Sequence, residues 1–130
     1  MKPNFSGEWA LDRQASHLTG GAAAMQTGVM RINHQDPTCA FHISMSAGGE
    51  AVEHMWESSL SYETPIGTGF YSRLFWDGDA LVFACGSNSP EETWSMVWRY
   101  ELLVAGQRLR AVEQMRGRGD FDNTWIFEKR

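Results

Sequence analysis

Residues 5–11 read FSGEWAL and form the first strand-like stretch of the chain. Apolar or small residues occupy every second position, namely Phe5, Gly7, Trp9 and Leu11, and the positions between them are mostly polar. Such alternation is typical of a β-strand with one buried face. A side chain as large as that of Trp9, placed so early, must pack against segments that arrive much later in the chain.

The size and charge of the chain limit the classes of function. With 130 residues the chain is long enough for one domain, residues 1–130, and too short for two hydrophobic cores. Its formal net charge of -5 argues against a nucleic-acid partner. The residues are 42% hydrophobic, yet no apolar run approaches the length that crosses a membrane, so we expect no membrane partner.

The expected compartment is the cytoplasm. No apolar stretch of the kind found in signal peptides follows the first residues, Met1 to Asn4. Cys39 and Cys85 lie in separate apolar runs, and without an export signal we expect both to stay reduced and to act as small hydrophobic side chains. No motif indicates a cofactor, and the expected oligomeric state is a monomer or a homodimer.

Period-two patterning continues along almost the whole chain. It predicts nine strands, at Phe5–Leu11, Val29–His34, Thr38–Ser46, Ala51–Leu60, Gly69–Trp76, Ala80–Cys85, Thr93–Val104, Arg108–Met115 and Asn123–Lys129. Turn residues or longer links, around Pro65–Gly69 and Gly86–Glu91, separate the strands, and only Asp12–Thr27 favours a helix or long loop. Short connections favour antiparallel neighbours, and closing the sheet removes its edges. The sequence therefore predicts an all-β fold, a single antiparallel up-and-down barrel of about 8–10 strands, with a two-sheet sandwich as the alternative.

Strand parity predicts which side chains point into the barrel. The inward set is mainly aromatic and sulfur-containing: Phe41, Met45, Trp56, Phe83, Trp94, Met96, Trp98, Tyr100 and Met115. Two polar residues share these inward positions, His34 at the end of the second strand and His54 on the fourth, and Glu113 on the eighth is a third candidate. The parity that turns Arg108, Arg110 and Gln114 outward puts Glu113 inside but also turns Val112 outward, so the inward face of the eighth strand stays open.

The Gly7-x-Trp9 strand, the segment after it, the antiparallel meander and the basic C-terminal residues together resemble the calycin superfamily of lipocalins and fatty-acid-binding-like barrels. DGDALVF (residues 77–83) and WRYELLVAGQRLRAVEQ (residues 98–114) also look like the late hairpins of small bacterial lipocalin-like proteins. The resemblance implies that Trp9 closes one barrel end and packs beside Lys129 or Arg130.

A barrel of this size is either filled by side chains or holds one small ligand. Six tryptophans and seven methionines in 130 residues supply broad aromatic walls and adaptable contacts, which suit a small apolar or aromatic ligand. We expect the nine inward residues and His34 to contact that ligand. The same residues could instead simply fill the core.

His54 and Glu113 support an alternative function. An imidazole beside a carboxylate in one cavity forms an acid–base pair, which a cofactor-free isomerase, hydratase, decarboxylase or hydrolase could use. The same two groups could instead orient a ligand, or His54 could donate one hydrogen bond inside the core. The spacing of histidines and cysteines matches no metal-binding motif, so no metal site is expected.

Overall fold

The computed structural model describes residues 2–67, 69–90 and 92–130, with residues 61–67 and 92 described through their backbone. Met1, Thr68 and Glu91, the last two of which the sequence placed in links, lie outside this description. The strands are β1 (Gly7–Leu11), β2 (Thr27–Gln35), β3 (Thr38–Ala47), β4 (Glu50–Ser59), β5 (Ser61–Gly67), β6 (Phe70–Asp77), β7 (Ala80–Ser89), β8 (Glu92–Leu103), β9 (Arg108–Arg116) and β10 (Phe121–Lys129).

These strands form one curled antiparallel sheet in the order β4-β3-β2-β1-β10-β9-β8-β7-β6-β5. Every strand pairs with its neighbour in sequence except β4 and β5. The first strand pairs with the last, which joins the two ends of the meander, and β4 and β5 form the two edges of the sheet. The predicted calycin-like, up-and-down antiparallel fold of eight to ten strands is confirmed.

The sequence missed one strand, β5, which it treated as part of a link. The pairing of β5 with β6 is irregular, with shifts of register between Ser61 and Thr64 and again between Pro65 and Gly67. Proline is tolerated at the edge of a sheet, where its missing N–H faces no partner strand. An irregular edge strand therefore leaves no clean alternation to detect in the sequence.

The segment between β1 and β2 contains a short 3₁₀ helix, Gly20–Ala24, as expected for a short helical or loop segment. Three side chains of this segment, Leu18, Ala22 and Met25, pack against the hydrophobic core. Arg13 fixes its end, because the guanidinium donates hydrogen bonds to the carbonyl oxygens of Met25 (2.9 Å) and Ala23 (3.1 Å). The segment thus lies across the sheet as a cover.

The closure around Trp9 agrees with the sequence. Trp9 is fully buried, is the register partner of Lys129, and donates from Nε1 to the carbonyl oxygen of Phe5 at 3.0 Å. The Lys129 ammonium lies 5.5 Å from the centre of the indole ring. Arg130 turns instead to Glu8, with 3.1 Å between its Nη1 and the carboxylate.

Parity predicted the buried face well on the central strands. On β3 and β9 the alternate residues are buried as expected, including Cys39, Phe41, Met45, Ala111 and Glu113. The edge strand β4 differs, because most of it is exposed and Val52 keeps half of its surface in solvent. A strand with a neighbour on one side only leaves its inward side chains accessible from the open edge.

Candidate ligand-binding cavity

A cavity of about 490 Å³ lies inside the curled sheet. Strands β3, β4 and β6 to β9 contribute its lining residues. These residues are Ile43, His54, Trp56, Glu57, Ser58, Ser72, Phe83, Cys85, Met96, Trp98, Tyr100 and Glu113. Its volume falls within the range of small-molecule sites. Ser58 on β4 and Ser72 on β6 place its mouth at the gap between the two edges of the sheet.

A second, smaller cavity of about 180 Å³ adjoins the first. The two cavities share Ile43, His54, Trp98 and Tyr100 as lining residues. The remaining lining of the smaller one is entirely hydrophobic and consists of Met25, Met30, Met45, Val52, Ala111, Trp125 and Phe127. The interior therefore offers a polar-edged chamber next to an apolar one, and the cover segment contributes Met25 to the latter.

Aromatic contacts hold the lining in place. Trp56 of edge strand β4 stacks on Phe41 with 4.0 Å between ring centres and 17° between planes. It also meets Phe83 of β7 at 4.9 Å, so one indole bridges the two sides of the sheet. Trp98 lies nearly parallel to Tyr100, with 8° between planes, and its Nε1 points to the sulfur of Met96 at 3.3 Å. Such ring contacts stabilise a defined wall beyond the area they bury.

Glu113 is the buried charged residue of the cavity. It lies in register between Trp98 on β8 and Asn123 on β10, so the three side chains form an inward row across three strands. Only 8% of its surface is exposed. Asn123 Nδ2 (3.0 Å) and Trp125 Nε1 (3.2 Å) both donate to the same oxygen, Oε1.

The second oxygen of Glu113, Oε2, accepts no hydrogen bond from the described residues. The fully buried side-chain nitrogens and oxygens without a partner among the described residues are Trp94 Nε1 and Arg110 Nε, so Oε2 keeps some exposed surface. Glu113 lines both the larger cavity and a pocket beside the cover segment, and Oε2 is the oxygen left for a ligand in either. A buried carboxylate that is half satisfied leaves an acceptor available for a ligand.

His54 lines both cavities, but it does so from the exposed strand β4. Its register partner is Ile43 of β3, and no hydrogen bond among the described residues joins it to Glu113. The structure thus brings both candidate catalytic residues to one cavity without pairing them directly.

Four residues expected to contact a ligand, His34, Phe41, Trp94 and Met115, lie outside the lining of these cavities. His34 is buried against Phe5 and Trp76, accepts the Phe5 backbone N–H at Nδ1 (3.2 Å), and contacts Asp36 through Nε2 (2.6 Å). Because Nδ1 of His34 is the acceptor, its Nε2 carries the ring proton and donates a hydrogen bond to the Asp36 carboxylate.

Trp94 lies near the end of β8 with Arg118 5.1 Å from its ring centre, and the buried Met115 pairs with Met96 on the neighbouring strand. Phe41 stacks on Trp56 behind the cavity wall. The other six predicted contact residues line the two cavities: Met45, Trp56, Phe83, Met96, Trp98 and Tyr100. The positions of Trp125, Phe127 and Met25 in the lining were not foreseen. The alternation along β10 would have predicted inward positions for Trp125 and Phe127. The position of Met25 depends on the course of the segment between β1 and β2, which the strand pattern does not predict.

Burial changes the acidity of three groups near the cavity. It raises the pKa of the Cys39 thiol from 9.0 to about 12, with a smaller contribution from the negative charge of Asp36. Burial also raises the pKa of Cys85, which lines the larger cavity. The pKa of the Tyr100 hydroxyl lies well above its ordinary value, first because of burial and then because of Cys39 and Glu113. Both thiols and the phenol are therefore neutral hydrogen-bonding groups near pH 7.

The charged side chains on the outer face of the sheet pair with one another. The ion pairs include Arg99 with Asp77 (2.6 Å), Arg110 with Glu101 (3.3 Å), Arg108 with Glu128 (2.6 Å) and Arg116 with Asp122 (2.8 Å). Within the described ranges, no three histidine, cysteine or acidic side chains lie close enough together to hold a metal ion. No helix in the same part of the chain has the length and apolar character needed to cross a membrane.

The fold is an up-and-down antiparallel half-barrel, consistent with a calycin-like fold, whose edges β4 and β5 do not pair and whose interior is open. The sequence matches no protein-family profile and no curated protein. Among solved structures, the chain is similar to secretory abundant heat soluble protein 4 from Ramazzottius varieornatus (TM-score 0.62, 12% identity, covering 100% of this chain and 98% of that one). It is also similar to the REP1-NXSQ fatty acid transporter (TM-score 0.61, 15% identity, covering 96% and 95%) and to a point mutant of that transporter (TM-score 0.60, 15% identity, covering 96% and 97%). At these identities the similarity concerns the fold alone.

Proposed function

We propose that the protein binds a small apolar or aromatic molecule in the cavity between β4 and β8. The observation that carries this proposal is the 490 Å³ cavity walled by Trp56, Phe83, Met96, Trp98 and Tyr100. A core that only stabilised the fold would close such a space, since protein interiors are packed about as densely as organic crystals. An aromatic cavity that stays open and reaches the surface is suited to a ligand.

The comparison with solved structures supports the same class of function. One structure of similar fold is described as a fatty acid transporter, whose ligand is largely apolar. We extend to this chain the apolar character of the ligand and membership of the calycin superfamily. We also propose that residues 1–130 form a single domain that works in the cytoplasm as a monomer or a homodimer, which fits its two free thiols, Cys39 and Cys85.

The geometry favours binding over acid–base catalysis. In a catalytic acid–base pair, each group has to lie within hydrogen-bonding reach of the proton that it transfers in the bound substrate. His54 stands on the exposed edge strand, and no hydrogen bond among the described residues joins it to Glu113, whose carboxylate is held in one orientation by Asn123 and Trp125. These positions suit groups that orient a ligand.

Titration with the uncharged dye Nile red tests the proposal. We expect one dye per chain, with a rise in dye emission and quenching of tryptophan emission. Trp98→Leu should weaken binding about tenfold or more, because it removes a wall shared by both cavities. Trp76→Leu is the matched control, since Trp76 packs on Phe5 and His34 outside the cavity lining and should leave dye affinity unchanged. Absence of saturable binding, or equal loss in both variants, would refute the proposed function.

A further inference from the structure

We infer that the cavity selects ligands in which an amine, protonated at neutral pH, is attached to the apolar or aromatic body, and that Glu113 is the group that binds this amine. The inference rests on the proposed binding function and specifies the chemistry of its ligand. The observation behind it is that one oxygen of the Glu113 carboxylate, Oε2, has no hydrogen-bond donor among the described residues, although the residue lines a cavity with mainly aromatic walls.

The rest of the lining offers an anion the hydroxyl groups of Ser58, Ser72 and Tyr100 but no side chain that is always positively charged. The described lining residues of both cavities include no lysine and no arginine. The ionisable residues that line the larger cavity are Glu57, Glu113, His54, Cys85 and Tyr100, and of the two acidic residues Glu57 is exposed while Glu113 is buried. A fatty-acid carboxylate in this chamber would meet the buried acidic side chain of Glu113, and like charges in a poorly solvated site repel strongly.

The arginines that could have served an anion lie elsewhere. Arg110 and Arg116, which are on the same strand as Glu113, pair with Glu101 and Asp122 respectively. Arg110 and Arg116 alternate along β9 with the buried residues that include Glu113. The arginines of this strand therefore lie on the outer face of the sheet and its carboxylate on the inner face. This distribution is the reverse of what an anionic headgroup needs.

The neighbours of Glu113 fit an ammonium group. Asn123 and Trp125 hold Oε1 from the β10 side, which fixes the carboxylate with Oε2 free. Trp98 is its register partner on β8 and lines both cavities. An ammonium group can donate to Oε2 while its positive charge meets the face of an indole ring, and both interactions strengthen when water is excluded. The apolar body can extend into the smaller, hydrophobic cavity.

Three naphthalene compounds of nearly equal size test this inference by calorimetry: naphthalenemethylamine, naphthalenemethanol and naphthoate. We expect the amine to bind most tightly, the alcohol less tightly and the carboxylate at least tenfold more weakly than the amine. Glu113→Gln should lower amine affinity about tenfold or more, because a hydrogen bond to a charged partner is lost. It should change the affinity of the alcohol by less than about threefold, since the glutamine oxygen still accepts from Asn123 and Trp125.

Glu53→Gln is the matched control, because it removes the same charge from the outer face of β4, where Glu53 lies 3.9 Å from His42. It should leave the order of the three ligands unchanged. Naphthoate binding as tightly as the amine, or an unchanged amine affinity in Glu113→Gln, overturns the inference while leaving the binding function intact. If Glu113→Gln does not fold, the order measured with the unmodified protein decides. If none of the three compounds and no Nile red binds, the cavity-binding function itself fails.

Discussion

Trp9 and Lys129 join the two ends of the chain, with the ammonium group 5.5 Å from the indole ring centre and the two residues in register across β1 and β10. The indole is fully buried and its N–H is bonded to the Phe5 carbonyl oxygen. The pairing of the first strand with the last joins the two ends of the meander, and the contact between Trp9 and Lys129 lies at this junction.

Replacing Trp9 with alanine should lower the free energy of unfolding by about 3–5 kcal/mol, as for other large aromatic side chains removed from a core. Lys129→Met is the informative control. It keeps the aliphatic packing and removes the cation, so we expect a loss of only about 0.5–1 kcal/mol. Urea unfolding followed by circular dichroism measures both. A Trp9→Ala protein as stable as the parent would show that this end of the barrel does not depend on the indole.

Asn123 links the cover segment to the cavity. Its Oδ1 accepts from the Thr19 backbone N–H (2.7 Å) and hydroxyl (3.0 Å), while its Nδ2 donates to Glu113. Asn123→Leu should destabilise the protein by about 1–3 kcal/mol because partners lose their hydrogen bonds inside the structure. Hydrogen exchange should accelerate in residues 17–25 more than in β7 or β8. Asn33→Leu, on an exposed position of β2, is the control and should leave exchange in that segment unchanged.

The two cysteines should differ in their response to a ligand. Cys85 lines the larger cavity, whereas Cys39 is fully buried outside the lining. We expect iodoacetamide at pH 8 to modify Cys85 first, slowly because burial raises its pKa and little thiolate is present. Saturating Nile red should slow the modification of Cys85 and leave that of Cys39 unaffected. Peptide mass spectrometry separates the two sites, and equal protection of both would indicate that the dye stabilises the whole fold instead of filling the cavity.

Stability should fall in alkaline solution. Between pH 9 and 12 the folded protein keeps the Cys39 proton while the unfolded chain loses it, so unfolding releases a proton and a higher pH favours the unfolded state. The contribution of this one group is at most about 1.4 kcal/mol per pH unit. Tyr100 acts in the same direction above pH 10, since its pKa is raised as well. Urea midpoints measured across this range should decline less steeply in Cys39→Ala, and an identical slope in that variant would contradict the assignment.

The parts of the fold that the sequence predicted are those where one face of a strand is buried. On β3 a single-residue shift would turn every core side chain to solvent, so parity is strongly specified there. On β9 the pattern was ambiguous, because Val112 shares the outward parity of the arginines, and the structure resolves it by burying Leu109, Ala111, Glu113 and Met115. The edge strand β5 lacked this constraint and was missed. The same lack of a second neighbour left His54 more exposed than its position beside Val52 and Trp56 suggested.

The sequence predicted most of the side chains at the candidate site but not the hydrogen bonds between them. Parity alone brought Trp98, Tyr100 and Glu113 to one face, yet the bonds from Asn123 and Trp125 to Glu113 depend on the register between β9 and β10, which no local pattern states. His34 shows the converse. Its inward orientation was foreseen, but its bonds to Phe5 and Asp36 come from a chain end and a turn whose geometry emerges only in the folded protein.

The free edge at β4 also bears on how copies of the protein meet one another. Val52 and Met55 expose 50% and 72% of their surfaces on this strand, and an unpaired edge of this kind is a template on which another sheet can add. Three exposed carboxylates, those of Glu50, Glu53 and Glu57, are spread along the same ten residues. Two such edges approaching each other bring acidic rows together, and their repulsion opposes fibre-like stacking. We therefore expect the negative charge on β4 to disfavour assembly of further copies through this open edge.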